Sequence, residues 1–103
     1  MKLKESIKEL EGIARDEGIR VVYRYDTKGP FQSERIQAIT TAILMDIRND
    51  RRLIEGRTMC ARDDIYVRNK GRIIALNRAL TRFYGKSKWR VVLKDRREKN
   101  SKN

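Results

Sequence analysis

The chain is 103 residues long, 39% hydrophobic by composition, and carries 26 Lys and Arg against 14 Asp and Glu, a formal charge of +12. Length and apolar share support one domain with one small core, and there is no run of about 18 apolar residues and no signal-type start, so a soluble cytoplasmic protein without a membrane partner is expected. With no His and Cys60 alone, an intrachain disulfide, a cysteine-cluster or zinc site and a Ser-His-Asp triad are excluded, so a non-enzymatic protein with no catalytic residue, metal or cofactor is expected.

Leu3, Ile7, Leu10 and Ala14 recur at three- and four-residue spacing between charged residues, and Gly18 follows them, which predicts an amphipathic helix over 3–16. Gly18 to Tyr25 is β-branched and aromatic with interleaved charges and reads as a strand ending at Asp26, and Thr27-Lys28-Gly29-Pro30 reads as a loop. From Ile36 to Ile47 the isoleucines fit a helix and the alternating residues fit a strand face. Thr40-Thr41 and the Asn49-Asp50 turn signal favour the strand, paired as a hairpin with residues 52–60. Asp63 and Asp64 are placed as N-cap and first-turn acids of a long helix from about Ile65 to Tyr84, stopped by Gly85. Trp89 to Leu93 reads as a short final strand or packed arm. Residues 94–103 contain no apolar residue and are expected to be a disordered basic tail, leaving a single α+β domain over 1–93.

The charge is unevenly spread. Residues 1–34 hold seven basic and seven acidic side chains, whereas residues 35–103 hold nineteen and seven, so the whole surplus lies in the later part. A surplus of this size attracts polyanions, whether nucleotides or nucleic acids. Arginine dominates it: nine Arg but only Lys70 lie between Arg48 and Arg82, and the planar fork suits bidentate phosphate contacts.

On the long helix, Ile73, Leu76, Leu80 and Phe83 or Tyr84 share one arc, the core side, while Arg68, Arg72, Arg78 and Arg82 fall within about 120° of one another on the other, with Ala75 and Ala79 between them. The two small residues are expected to leave the guanidinium groups unobstructed. With Arg57 and Arg62 these four form the candidate phosphate-binding set. Tyr66, beside Arg68, and Trp89, between Lys88 and Arg90, are the candidate base-stacking residues. Cys60 reads as a small strand-end core residue.

The run from Gly56 to Ala79, with Gly56-x3-Cys60, a spaced Asp, Tyr66, Arg68-x2-Gly71-Arg72 and Ala75-x2-Arg78-Ala79, resembles a pattern in small phage proteins that counter Thoeris defence by sequestering cyclic ADP-ribose signals. The resemblance covers about a quarter of the chain. It implies a dimeric hairpin-plus-helix fold and an anti-defence nucleotide sponge without turnover, in which Arg68 and Arg72 hold phosphates and Tyr66 lies near the base.

The expected fold is α+β: an N-terminal helix, a small antiparallel sheet with a β-hairpin, one long C-terminal helix packed on it and a short last strand. A sheet covered on one face leaves apolar surface bare, so a homodimer is expected. The expected partner is an anionic nucleotide. The alternative is DNA or RNA held by its backbone through the arginine helix and basic tail, or the nucleic-acid channel of a host enzyme that the protein blocks.

Overall fold

In a computed structural model, residues 6–31 and 33–101 are described. The element order is α1 (Ile7–Asp16), β1 (Ile19–Asp26), β2 (Ile36–Asp46), β3 (Arg51–Ala61), α2 (Arg68–Tyr84) and α3 (Lys86–Ser101). The strands form one antiparallel sheet in the order β1-β2-β3, so the fold is α+β as expected. No helix among the described residues is long and apolar enough to cross a membrane.

The first helix starts at Ser6, whose hydroxyl accepts a hydrogen bond from the Glu9 N–H at 3.1 Å; this is one half of a Ser-x-x-Glu capping pattern. It ends where Gly18 takes φ +72°, a backbone conformation that costs glycine little. Residues 3–5 of the expected first helix lie outside the described residues. The ambiguous stretch 36–47 is a strand: β2 pairs with β1 over Ile19↔Asp46 to Asp26↔Ile39, and with β3 over Ile36↔Ala61 to Asp46↔Arg51. Sitting between two partners satisfies the backbone of β2 on both sides, which outweighs its helix-compatible isoleucine spacing.

All three helices lie on one face of the sheet. Ala42 and Leu44 of β2 and Ile19 of β1 meet Leu10, Ile13 and Ala14 of α1 and Ile73, Leu76 and Leu80 of α2 in a single core.

Three local expectations are corrected. Residues 89–93 are helical, not a strand, because Trp89, Val92 and Leu93 repeat at i, i+3 and i+4 and turn one side onto the core while Val91 stays 56% exposed. The stretch expected to be a disordered tail continues α3 as far as Ser101, docked on α1 where Arg97 Nε donates to Glu9 Oε1 at 3.2 Å and Arg96 donates to Asp16. Residues 102 and 103 of that tail lie outside the described residues. Finally, α2 begins at Arg68 and not at Ile65; its cap is Val67, which makes no side-chain cap bond, so Asp63 and Asp64 do not cap it. Gln37 holds the intervening turn in place, its Nε2 donating to the carbonyls of Ala61, at 2.7 Å, and Asp64.

Candidate functional site

The placement of the arginines follows from one contact between α2 and the sheet. Gly56 of β3 lies so close to α2 that a Cβ there would stand 2.9 Å from the Ala79 Cα and closer still to the Ala75 O and Ala79 N. Ala75 and Ala79 are completely buried. The arc expected to open the guanidinium groups to solvent is therefore the arc that α2 lays on the sheet, and the arginines frame the contact. The helix runs diagonally: Arg72 lies over Tyr25 of β1, Gly71 over Thr40 of β2, and Ala75 and Ala79 over Gly56 of β3. The four arginines divide into two pairs at opposite edges of the sheet.

The first pair stands at the β1 edge. Arg68 Cζ lies 4.4 Å from the centroid of the Tyr25 ring, and Arg72 Cζ lies 5.3 Å from Tyr23 and 5.4 Å from Tyr25. Arg72 Nε also donates to the Tyr25 hydroxyl, the chief reason its pKa is raised. Tyr23 donates to Glu11 Oε2 of α1 at 3.0 Å, and burial, reinforced by the Glu11 charge, pushes its pKa up. The aromatic pair thus seats two guanidinium groups at the start of α2. That first turn contains no acid, although basic groups at a helix N-terminus oppose the macrodipole. The same end of the sheet carries the β1–β2 loop and the β3–α2 turn, joined where the Arg62 N–H donates to the Arg35 carbonyl at 2.6 Å. Lys28, Arg35, Arg62, Arg68 and Lys70 are all exposed there, against the acids Asp26, Glu34, Asp63 and Asp64.

The second pair lies along the β3 edge. Arg78 Nη1 donates to the Arg57 carbonyl at 2.8 Å and Arg82 Nη1 to the Glu55 carbonyl at 3.0 Å. These bonds use one donor of the five in each guanidinium and cover carbonyls that an edge strand otherwise leaves open. The open groove beside them, about 570 Å³, is lined by Glu55, Gly56, Arg57, Arg78, Thr81 and Arg82. Strand alternation turns the Arg57 side chain to the opposite face of the sheet, where its Nη2 meets Glu55 Oε1 at 3.3 Å. Arg57 therefore joins the groove through its backbone.

The two candidate stacking residues lie elsewhere. Trp89 is buried, stacked on Tyr84 at 5.5 Å between centroids, and its Nε1 donates to Asn77 Oδ1 at 2.9 Å, so it is a core residue and not an exposed platform. Tyr66 lines a separate hollow of about 220 Å³ with Cys60, Thr58 and Gly71, and neither Arg68 nor Arg72 borders it. The ring that meets those arginines is Tyr25, which the strand reading of Gly18 to Tyr25 does not single out. Its signal was the alternation Tyr23, Tyr25 on one face of β1. Cys60 is half-buried, with Gln37 Nε2 3.4 Å from its sulfur. Comparison with protein-family models, with curated proteins and with solved structures finds no match, so the functional reading rests on the geometry of the basic sheet end alone.

Proposed function

We propose that this protein binds the phosphate backbone of a duplex nucleic acid, without turnover, through the start of α2 and the adjoining loops. The observation that carries the reading is the acid-free first turn of α2, where Arg68, Lys70 and Arg72 gather at the positive end of the helix with two guanidinium groups seated on Tyr25. Phosphate relieves that repulsion and accepts from the first-turn N–H groups. At this end of the sheet Lys28, Arg35 and Arg62 stand exposed around the loops, and such a spread of basic groups suits a repeating polyanion better than a compact ligand.

The second reading is sequestration of a cyclic ADP-ribose-type nucleotide by a cytoplasmic phage-type counter-defence protein. The pairing of Arg68 and Arg72 on one tyrosine supports it, with Tyr25 in the place expected of Tyr66.

Binding of labelled duplex RNA and DNA of about 20 base pairs, titrated with salt and with excess cyclic ADP-ribose, separates the two. On duplex DNA, about four phosphate contacts predict a loss of roughly 100-fold in affinity between 50 and 200 mM salt. That loss should shrink in Arg68→Gln/Arg72→Gln. A flat salt response defeats the backbone reading, and displacement of weakly bound duplex by the cyclic nucleotide establishes the second.

A further inference from the structure

Among the described residues no helix covers the face of the sheet turned away from α1 and α2, and its side chains are ordered in rows by the strand register. Crossing from β1 to β3, the rows are Arg20–Met45–Arg52, Val22–Ile43–Glu55, Arg24–Thr41–Arg57 and Asp26–Ile39–Met59. Ile39, Ile43 and Met45 run down the middle, and Val22 and Met59 beside them are 37% and 55% exposed. The charged residues form the border.

We propose that a second copy of this chain covers this face, forming a twofold-symmetric, sheet-on-sheet dimer. Aligned packing of two identical faces admits two orientations of the twofold axis. With the axis along the strands, β1 lies over the partner's β3, so Arg24 meets the partner's Arg57 and Arg20 meets the partner's Arg52. Like charges then face each other at both borders. With the axis across the strands, between the Val22 and Arg24 rows, each strand lies over its own copy. Arg20 then meets the partner's Asp26, Glu55 meets the partner's Arg57, and Ile39 meets the partner's Met45.

Charge therefore selects the second orientation: opposite charges meet at both borders, while Val22 and Met59 lie against the partner's Arg24 and the partner's Arg52, whose aliphatic stems can cover them. Both acids are available at its surface: Glu55 already holds Arg52 and Arg57 within the chain and sits where the partner's Arg57 would arrive. Twelve side chains at ordinary strand spacing cover about 400 Å² of sheet, so roughly 800–1,000 Å² of accessible surface is buried over both partners. That is the low end for a specific interface, and the dimer is accordingly concentration-dependent. The face lies opposite the helices, so both copies keep the start of α2 free. The dimer does not depend on the nucleic-acid reading.

The test is the solution mass by light scattering and sedimentation across a wide protein concentration range, without nucleic acid. The mass is expected to rise from 12.2 kDa towards twice that value. Arg57→Glu alone sets two acids against the partner's acids, and Glu55→Arg alone sets arginine against arginine, so each variant should remain at the monomer mass. An equimolar mixture restores both opposite-charge contacts and should return the dimer. Met59→Lys, at the most exposed apolar position of the face, brings a lysine against the partner's Arg52 and should also give monomer; it serves as the second variant should either charge reversal fail to fold. A wild-type monomer at every concentration, a dimer indifferent to Met59→Lys, or folded single variants whose mixture stays monomeric would each overturn the interface.

Discussion

Gly56→Ala tests the contact that orients α2. A methyl at this position meets backbone atoms of α2, with the Ala79 Cα 2.9 Å away and the Ala75 O and Ala79 N nearer. Backbone cannot rotate aside, so the helix must lift off the sheet and loosen its packing around Leu76 and Leu80. Overpacking of this kind costs about 3 kcal/mol, against which replacing a strand glycine returns roughly 0.5–1 kcal/mol. The net loss of about 2 kcal/mol corresponds to a fall in Tm of roughly 8 °C or more in a domain of this size. Thermal and urea melts followed by circular dichroism measure it. Gly71→Ala is the control, because the atoms its methyl meets first belong to the Thr40 side chain, with Oγ1 at 2.7 Å and Cβ at 3.3 Å, and not to the backbone of another element. Helix propensity also favours alanine there by about 1 kcal/mol. A Gly56→Ala protein as stable as wild type, or one less affected than Gly71→Ala, would refute the account of how α2 is seated.

Trp89→Phe removes the indole N–H that satisfies Asn77 and should cost about 1–3 kcal/mol in denaturant melts, far more than loss of an exposed stacking residue would. Tyr23 has its pKa raised in the folded protein, so the unfolded chain ionises first, near the ordinary tyrosine value of about 10; stability should be level below that pH and fall above it. Tyr23→Phe should flatten part of that fall in Tm measured across alkaline pH, and an unchanged slope would assign it to other groups. Ending the chain at Leu93 removes the last turns of α3 and its ion pairs to Asp16 and Glu9, so far-UV ellipticity should drop by the contribution of Lys94–Ser101. A spectrum unchanged by the truncation would return that segment to a disordered tail. Exposed pairs contribute about 0–1 kcal/mol each, so the melt should move only slightly.

The strands and the first helix were legible because their signals are local. β-Branched and aromatic alternation marks β1, and Thr40-Thr41 with the Asn49-Asp50 turn marks β2 and β3. Helix α3 was not legible: Val91-Val92 has strand propensity, and the charged residues after Leu93 lack a stripe of their own. It is helical because Trp89, Val92 and Leu93 find the core, and because Asp16 and Glu9, some eighty residues away in sequence, receive Arg96 and Arg97. The start of α2 was misplaced for a related reason. Asp63 and Asp64 look like caps, but Gln37 reaches across from β2 and holds their turn away from the helix.

For the candidate site, composition and spacing determine by themselves that the later part of the chain is arginine-rich, that four of those arginines share one arc of a helix with two alanines, and that the chain has no histidine and a single cysteine. Which surface that arc meets is a long-range matter. A helix wheel cannot distinguish small residues that expose their neighbours from small residues that admit another backbone. Gly56 of β3, paired with Ala42 of β2 and lying under α2, resolves this by leaving room only for Ala75 and Ala79. The close approach then sets Arg68 and Arg72 beside the β1 tyrosines and Arg78 and Arg82 beside the β3 carbonyls, because it fixes how α2 crosses the sheet and which edge each of its ends reaches.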